Sequence, residues 1–128
     1  MIEADFIWEN YPGIKDKFRK HQIIVWLQVY KDRMIIVRDD GEIKGIALFF
    51  TLTDETLDLV KNRKIDLSNP VMVNHCLSED GDNIHFFMVV ADGFLTIMKG
   101  FRETIKNNVK SVSWFSIDMK RFFIKECD

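Results

Sequence analysis

Hydrophobic positions recur along the chain with two different spacings. The longest apolar segment, Ile84 to Ala91, is interrupted only by His85, which is typical of a strand buried on both faces. Asp92-Gly93 follows with turn chemistry, and from Phe94 the apolar positions recur at helical spacing. A second apolar segment, Val109 to Phe115, predicts another strand. A strand, a helix and a strand in succession form a right-handed parallel crossover.

The first thirty residues predict two helices. Residues 2–10 mix apolar and acidic positions, and Tyr11-Pro12-Gly13 ends this short amphipathic helix. A second helix is predicted from Ile14 to about Lys31. Strand remains the alternative for its second half, Ile23 to Tyr30, because this part is rich in β-branched and aromatic residues.

Two β-rich segments then flank an Asp-Gly turn. Met34 to Val37 and Ile43 to Phe50 lie on either side of residues 39–42 (DDGE), which predicts a hairpin. Gly45 inside the second arm marks a bulge. Thr53 precedes two acidic residues and is a good N-cap, so we expect a helix from there to about Lys64.

The remaining segments complete a mixed sheet. Ser68-Asn69-Pro70 predicts a loop, and Val71 to Leu77 predicts a strand that pairs across Glu79 to Asp82 with the strand that starts at Ile84. Ile117 to Lys125 predicts a last short helix, with strand as the alternative. The expected fold class is α/β (α+β), with an antiparallel first half, a C-terminal parallel crossover and helices on both faces.

Length and composition limit the class of protein. The 128 residues, 47% of them hydrophobic, predict one folded domain over residues 1–128. The net charge of −2 gives no general attraction to nucleic acid or to an anionic membrane, so neither is expected as a partner. Two distant cysteines, Cys76 and Cys127, and an N-terminus without signal-peptide features predict a cytoplasmic protein.

The order of these elements is similar to the Gcn5-related N-acetyltransferase (GNAT) fold, in particular to its short, divergent phage and bacterial members. The resemblance covers most of the chain from residue 14 onward. Three segments carry it: residues 35–50 (IIVRDDGEIKGIALFF), residues 80–93 with the helix after them (DGDNIHFFMVVADG), and residues 109–123 (VKSVSWFSIDMKRFF).

This resemblance implies acetyl-CoA or another acyl-CoA as co-substrate. Val89, Val90 and Ala91 would pair with the pantetheine arm, and the turn formed by Phe94, Leu95, Thr96 and Ile97 would hold the pyrophosphate at the start of the helix. Free N–H groups and the helix dipole suit a diphosphate there. In place of the family's turn with an Arg or Gln and two glycines, this chain has Leu95, Thr96 and Met98.

Two residues are candidates for catalysis. Ser116 stands nearest to the position of the tyrosine with which the family often protonates the leaving thiolate. His85 is a candidate base toward a substrate amine. With the predicted hairpin, Cys76 would also lie opposite His85, which leaves a Cys-His dyad open beside a buried cysteine and a histidine of the sheet. No metal site is expected, because adjacent strand residues such as His75 and Cys76 point to opposite faces.

Three interpretations remain open from the sequence, of which the last is an unrelated small α/β protein of mobile-element origin with no small-molecule ligand. The first is an acyl-CoA-dependent N-acyltransferase acting on an amine of a small molecule or a protein. The second is a catalytically degenerate GNAT-like module for binding or assembly, which the missing glycines and tyrosine favour. The eleven phenylalanines leave a homodimer open as well.

Overall fold

A computed structural model describes residues 2–127, apart from residues 12, 67–68, 92–93, 105–108, 117 and 119 and the side chains of residues 94, 103 and 104. This part of the chain forms six α-helices, a 3-10 turn at Lys31–Arg33 and five strands. The helices are α1 (Ile2–Asn10), α2 (Ile14–Lys17), α3 (Lys20–Val29), α4 (Asp54–Lys61), α5 (Pro70–Ser78) and α6 (Phe94–Thr104). The strands are β1 (Met34–Asp39), β2 (Glu42–Leu52), β3 (Asn83–Ala91), β4 (Ser111–Phe115) and β5 (Phe122–Glu126).

The strands form one mixed sheet in the order β1-β2-β3-β4-β5. β1 is antiparallel to β2, β3 is parallel to β4, and β4 is antiparallel to β5. The predicted α+β class is therefore confirmed, as is the parallel strand-helix-strand unit made by β3, α6 and β4. Asp92-Gly93 and Asn107-Asn108, the turns predicted around α6, lie outside the described residues.

The described residues fall into two compact units, each drawn from separate parts of the chain. Unit 1 takes its residues from Met1–Leu48 and Met88–Lys106, and unit 2 takes its residues from Phe49–Phe87 and Asn107–Asp128. The single domain expected from the length stays a prediction.

The β1-β2 hairpin in unit 1 follows the predicted turn chemistry. Asp39 pairs with Glu42, and the two residues between them, Asp40 and Gly41, have φ values of 51° and 80°. Positive φ at both central residues is what a type I′ turn requires. The register shifts between Val37 and Arg38, opposite Gly45, which confirms the bulge predicted there.

The predicted long helix from Ile14 to Lys31 is wrong in one respect: it is broken at Phe18. Phe18 has extended backbone (φ −136°, ψ 160°), and α3 starts again after Arg19. The Arg19 N–H donates to Gln22 Oε1 over 2.7 Å, which satisfies one peptide group at this helix start. Helix is correct and strand wrong for the second half, because Ile23 and Leu27 bury one face of α3.

The strand predicted from Val71 to Leu77 is wrong, because this segment belongs to α5. The Asn69 side chain accepts a hydrogen bond from the Val71 N–H over 2.9 Å, and Pro70 occupies the first helical position. An Asn cap followed by proline is a strong helix start. The predicted hairpin with β3 does not form, so the register that placed Cys76 opposite His85 does not exist.

The last element is a strand, as the alternative reading had it, and the predicted short helix is wrong. β5 pairs with β4 over five register positions, from Ser111 with Glu126 to Phe115 with Phe122. Aromatic pairs across the two strands support this register, since Trp114 stacks on Phe123 with 5.6 Å between ring centroids. Pairing with a neighbouring strand therefore outweighs the local spacing.

Candidate functional site

The second half of β3 carries the three residues expected to pair with a pantetheine arm. Asn83 to Phe86 are buried, whereas the residues after Phe86 alternate between half-buried and buried. Val90 is buried, and Val89 and Ala91 are half-buried. The register with β4 runs from Asn83↔Ser111 to Phe86↔Trp114, and β3 continues to Ala91. One face of this second half is thus partly open.

The start of α6 carries the expected phosphate turn. Leu95 is 84% exposed, Thr96 is half-buried and Ile97 is fully buried. The side chain of Phe94 lies outside the described residues. The first N–H groups of an α-helix have no partner within the helix, and Leu95 extends into solvent rather than across the turn. Further along α6, Lys99 and Arg102 are exposed.

Two glycines set the position of α6 within unit 1. A Cβ at Gly100 would lie 2.6 Å from Val37 Cγ2, and a Cβ at Gly45 would lie 3.0 Å from Ile97 Cδ1. Both distances are shorter than an ordinary carbon contact. The helix therefore approaches the first hairpin so closely that a larger residue at either position would require the neighbouring side chains to shift.

His85 lies in a closed aromatic environment of unit 2. Its side chain is fully buried, its ring stacks on Phe122 and meets the edge of Phe115, and its Nδ1 lies 2.9 Å from Ser113 Oγ. No hydrogen-bond partner for Nε2 occurs among the described residues. Burial lowers the pKa of His85 to about 4, because an apolar environment disfavours the charged ring. The imidazole is therefore neutral at pH 7 and has no exposed surface for a substrate amine.

Ser116 holds the connection between β4 and β5. Its hydroxyl donates to Asp118 Oδ1 over 2.5 Å and accepts from the Arg121 N–H over 3.1 Å. The hydrogen bond from Ser116 and a backbone bond from Lys120 keep the pKa of Asp118 below its usual value. These bonds occupy the hydroxyl in a turn.

Cys76 is buried on α5, close to the negative charge of Glu79. Burial, with the charge of Glu79, raises the pKa of this thiol to about 11. A thiol with so high a pKa is protonated at neutral pH and is a poor nucleophile. The proposed dyad of Cys76 and His85 is therefore wrong on both register and chemistry.

A polar groove in unit 2 was not predicted from the sequence. It has a volume of about 350 Å³ and is lined by residues of α4 and the adjoining strands, among them Asp54, Lys110 and Ser111. Lys110 Nζ donates to Asp54 Oδ2 over 2.6 Å, and the buried Asn83 amide donates to Asp54 Oδ1 over 2.8 Å. Lys110 and then Asn83 lower the pKa of Asp54. The polar groups of the groove are thus hydrogen-bonded to one another, and these bonds connect α4 to the strands.

The carboxylate of Glu79 helps to cap the start of α4 in the same unit. Thr53 caps this helix as predicted, with its hydroxyl accepting from the Thr56 N–H over 3.3 Å. Glu79 adds to the cap, because its carboxylate accepts from the Thr53 N–H over 3.1 Å and from the Thr56 hydroxyl over 2.6 Å. A negative charge is favourable at a helix N-terminus.

Neither a metal site nor a membrane-spanning helix is found in the part of the chain that the structure describes. No group of three or more His, Cys, Asp or Glu side chains is placed to hold a metal ion there. Among the same residues, no helix has both the length and the apolar character that crossing a bilayer requires. Both cysteines are free.

Comparison with known proteins adds no family to this description. No family model matches the chain, and no curated protein matches it. The structure by itself defines an α+β protein with a mixed five-stranded sheet and a parallel crossover.

Proposed function

We propose that the chain is a compact, GNAT-like N-acyltransferase that uses acyl-CoA to modify an amine. The observation that supports this most directly is the unit made by β3, α6 and β4. β3 continues for several residues beyond its last register pair with β4, and α6 begins shortly after its end. In parallel α/β units the carboxyl ends of strands and the helix starts after them are common ligand sites.

The residues at this place fit a diphosphate-bearing thiol ester. Val89 and Ala91 of β3 are half-buried, and the β3 backbone would pair with the amide groups of the pantetheine arm. At the helix start, Thr96 offers a hydroxyl, and Lys99 offers positive charge about one turn further along α6. Leu95, exposed to solvent, leaves the helix start open.

The chemistry asked of the protein is mainly positioning. Acyl-CoA, when bound, supplies a thioester carbonyl that is already activated toward amines. The backbone N–H near Val90 would polarise that carbonyl, and the protein would hold the amine beside it. A C–N bond forms, the C–S bond breaks with its electron pair going to the sulfur of CoA, and the amine proton passes through solvent to the departing thiolate. His85 stays a candidate base from the sequence, but its burial gives that role no support.

A second candidate is a GNAT-like module that binds or assembles without catalysis. The side chains assigned to catalysis favour it, because His85 is enclosed and neutral and Ser116 is committed to its turn. None of these residues identifies the acceptor amine of the first candidate, which can belong to a small molecule or to a protein. A cytoplasmic location suits both candidates and agrees with the two free cysteines.

A thermal-shift titration with acetyl-CoA and with CoA tests the proposed ligand. A compound that binds only the folded state raises the melting temperature, by an amount that grows with its concentration over its Kd. We expect both compounds to raise it. No shift at millimolar concentrations would overturn the proposed site and leave the assembly module.

The variant Thr96→Glu tests the location of that site. A carboxylate in the first turn of α6 is favourable for the helix itself, so the fold is expected to survive while the diphosphate is repelled. The matched control is Val71→Glu, which adds the same charge at a position 76% exposed on α5. Loss of the shift in Thr96→Glu alone supports the site, and equal shifts in both variants would remove this turn from it. Release of free thiol from acetyl-CoA with a panel of amines then separates a transferase from a binding module.

A further inference from the structure

Among the described residues, the sheet ends at β5, which has a strand beside it on one side only. β5 is the last strand in the sheet order, so one of its sides pairs with β4 and the other is an edge. Its side chains from Phe123 to Glu126 are exposed, and the two large apolar ones, Phe123 and Ile124, are 38% and 44% exposed. Apolar side chains on an edge strand are costly in water and favour pairing with another strand.

The hydrogen-bond pattern with β4 shows which peptide groups of β5 face outward. The Ser116 N–H donates to the Arg121 carbonyl and the Cys127 N–H donates to the Lys110 carbonyl, each over 2.9 Å. Bonded and non-bonded pairs alternate along antiparallel strands. The N–H and C=O groups of Phe122, Ile124 and Glu126 therefore point away from β4. They form a row with Ile124 at its centre.

Two charges at this edge, Lys120 and Glu126, are complementary in the antiparallel direction, because they stand at opposite ends of the strand. The strand is preceded by exposed Lys120 and Arg121 and ends at exposed Glu126. Within the described part of the chain, neither Lys120 nor Arg121 forms a salt bridge. A second copy running in the opposite direction would bring its acidic end beside this basic start.

The opposite edge of the sheet is less suited to pairing. β1, the first strand in the order, carries the irregular register between Val37 and Arg38, and Arg38 pairs with Glu3 of α1 over 3.2 Å. A bulge is one of the usual protections of an edge strand. β5 has the regular register instead, from Ser111↔Glu126 to Phe115↔Phe122.

We propose that β5 is a dimerisation edge, which pairs antiparallel with β5 of a second copy of this chain about a two-fold axis at Ile124. In this register Phe122 faces Glu126 of the second copy, and the outward peptide groups form about six hydrogen bonds. Ile124 meets its own counterpart, and Phe123 lies across from Lys125. Lys120 lies diagonally beside Glu126 of the second copy. The same patch serves both copies, so the assembly closes at two.

The molar mass in solution tests the dimer. Sedimentation or light scattering from micromolar to millimolar protein should give twice the 15.1 kDa of the chain. Ile124→Pro removes an outward N–H and leaves the bonds to β4 in place, and edge positions tolerate proline. We expect this variant, and Ile124→Lys as a second one, to raise the dissociation constant by at least about 30-fold. Far-UV circular dichroism checks that each variant is folded, and Val71→Lys, at an exposed site on α5, should remain dimeric.

A charge exchange tests the antiparallel direction separately. Lys120→Glu or Glu126→Lys alone should weaken the dimer about five-fold, and the double variant should restore it. A wild-type chain that stays at 15.1 kDa up to millimolar concentration overturns the proposal. So does a dimer that a folded Ile124→Pro variant leaves intact, or a mass that keeps growing with concentration, since an open assembly contradicts the two-fold pairing.

Discussion

The buried His85 makes the stability of this protein depend on pH in a way that one substitution removes. Burial lowers its pKa from 6.5 to about 4 in the folded state. In the unfolded chain the ring is in water and takes up its proton near the ordinary value. Between these two pH values the unfolded state binds more protons than the folded state, so stability falls as the pH falls.

The size of this effect follows from the shift in pKa. One pKa unit corresponds to about 1.4 kcal/mol, so lowering the pH from 7 to 4 costs about 3 kcal/mol of unfolding free energy through this one residue. The contribution is complete above pH 6.5 and is lost progressively down to about pH 4. Against a total stability of about 5–15 kcal/mol for a domain, such a loss is large.

The contribution of His85 is measured by urea denaturation at several pH values between 4 and 7.5, with the wild type and the variant His85→Gln compared at each pH. Glutamine is close to histidine in size, keeps a polar group for Ser113 Oγ, which lies 2.9 Å from Nδ1, and does not titrate. We expect the difference in unfolding free energy between pH 7 and pH 4 to be about 3 kcal/mol smaller in His85→Gln than in the wild type. Other groups that titrate in this range contribute to both proteins and cancel.

His21→Gln, the same substitution at an exposed position of α3, is the control for losing a histidine. It should keep most of the pH dependence of the wild type. Equal pH dependence in the wild type and in His85→Gln would refute the reasoning, because the His85 ring would then be as accessible to protons in the folded state as in the unfolded state. That result would also reopen the role of His85 as a base.

Two further substitutions test the packing of α6 and the polar groove. Gly100→Ala should cost up to about 2 kcal/mol in urea denaturation, because its Cβ would lie 2.6 Å from Val37 Cγ2 while alanine gains about 1 kcal/mol over glycine within the helix; Val37→Ala in the same chain should relieve this cost. Asn83→Ala should cost about 1–3 kcal/mol, because it leaves the buried hydroxyl of Ser111 without the oxygen to which it donates over 2.6 Å. An effect of Gly100→Ala that is the same with Val37 and with Ala at that position, or an unchanged unfolding midpoint in Asn83→Ala, would contradict the corresponding contact.

The elements that were predicted correctly are those where two independent signals agree. The first hairpin has β-rich segments and an Asp-Gly turn, and its turn residues Asp40 and Gly41 adopt the positive φ that such a turn needs. β3 and α6 are also predicted correctly, since a long apolar segment and a clear helical spacing differ in period. Local sequence is sufficient in such segments.

The two wrong elements are short apolar segments, in which spacing cannot separate helix from strand. α5 has a β-like composition in residues 71–77 (VMVNHCL), and the signal that identifies it, Asn69 followed by Pro70, was interpreted as a loop. In β5, pairing of Phe122 and Phe123 with Phe115 and Trp114 decides the outcome. Long-range contacts of this kind leave no local trace.

The same reason explains why the polar groove was missed. Lys110 and Asp54 are separated by 56 positions in the sequence and meet because α4 and the segment before β4 lie together in unit 2. The helix-start signal around Asp54 predicts α4 but says nothing of a partner at Lys110. The candidate residues on β3 and α6 were found because they follow one another along the chain, so a prediction of the crossover placed them all at once.

His85 is one of two buried polar residues of β3, and the other is Asn83. These two residues of β3 stand two positions apart, and each faces its register partner on β4, Ser113 or Ser111. Side-chain contacts of 2.9 Å and 2.6 Å join the two pairs. Both strands are otherwise apolar and buried on both faces here, so hydrophobic pattern alone would tolerate a slip of one or two residues. Because a slip would leave four buried polar side chains without partners, the two polar pairs fix the parallel register from which the rest of β3 continues toward α6.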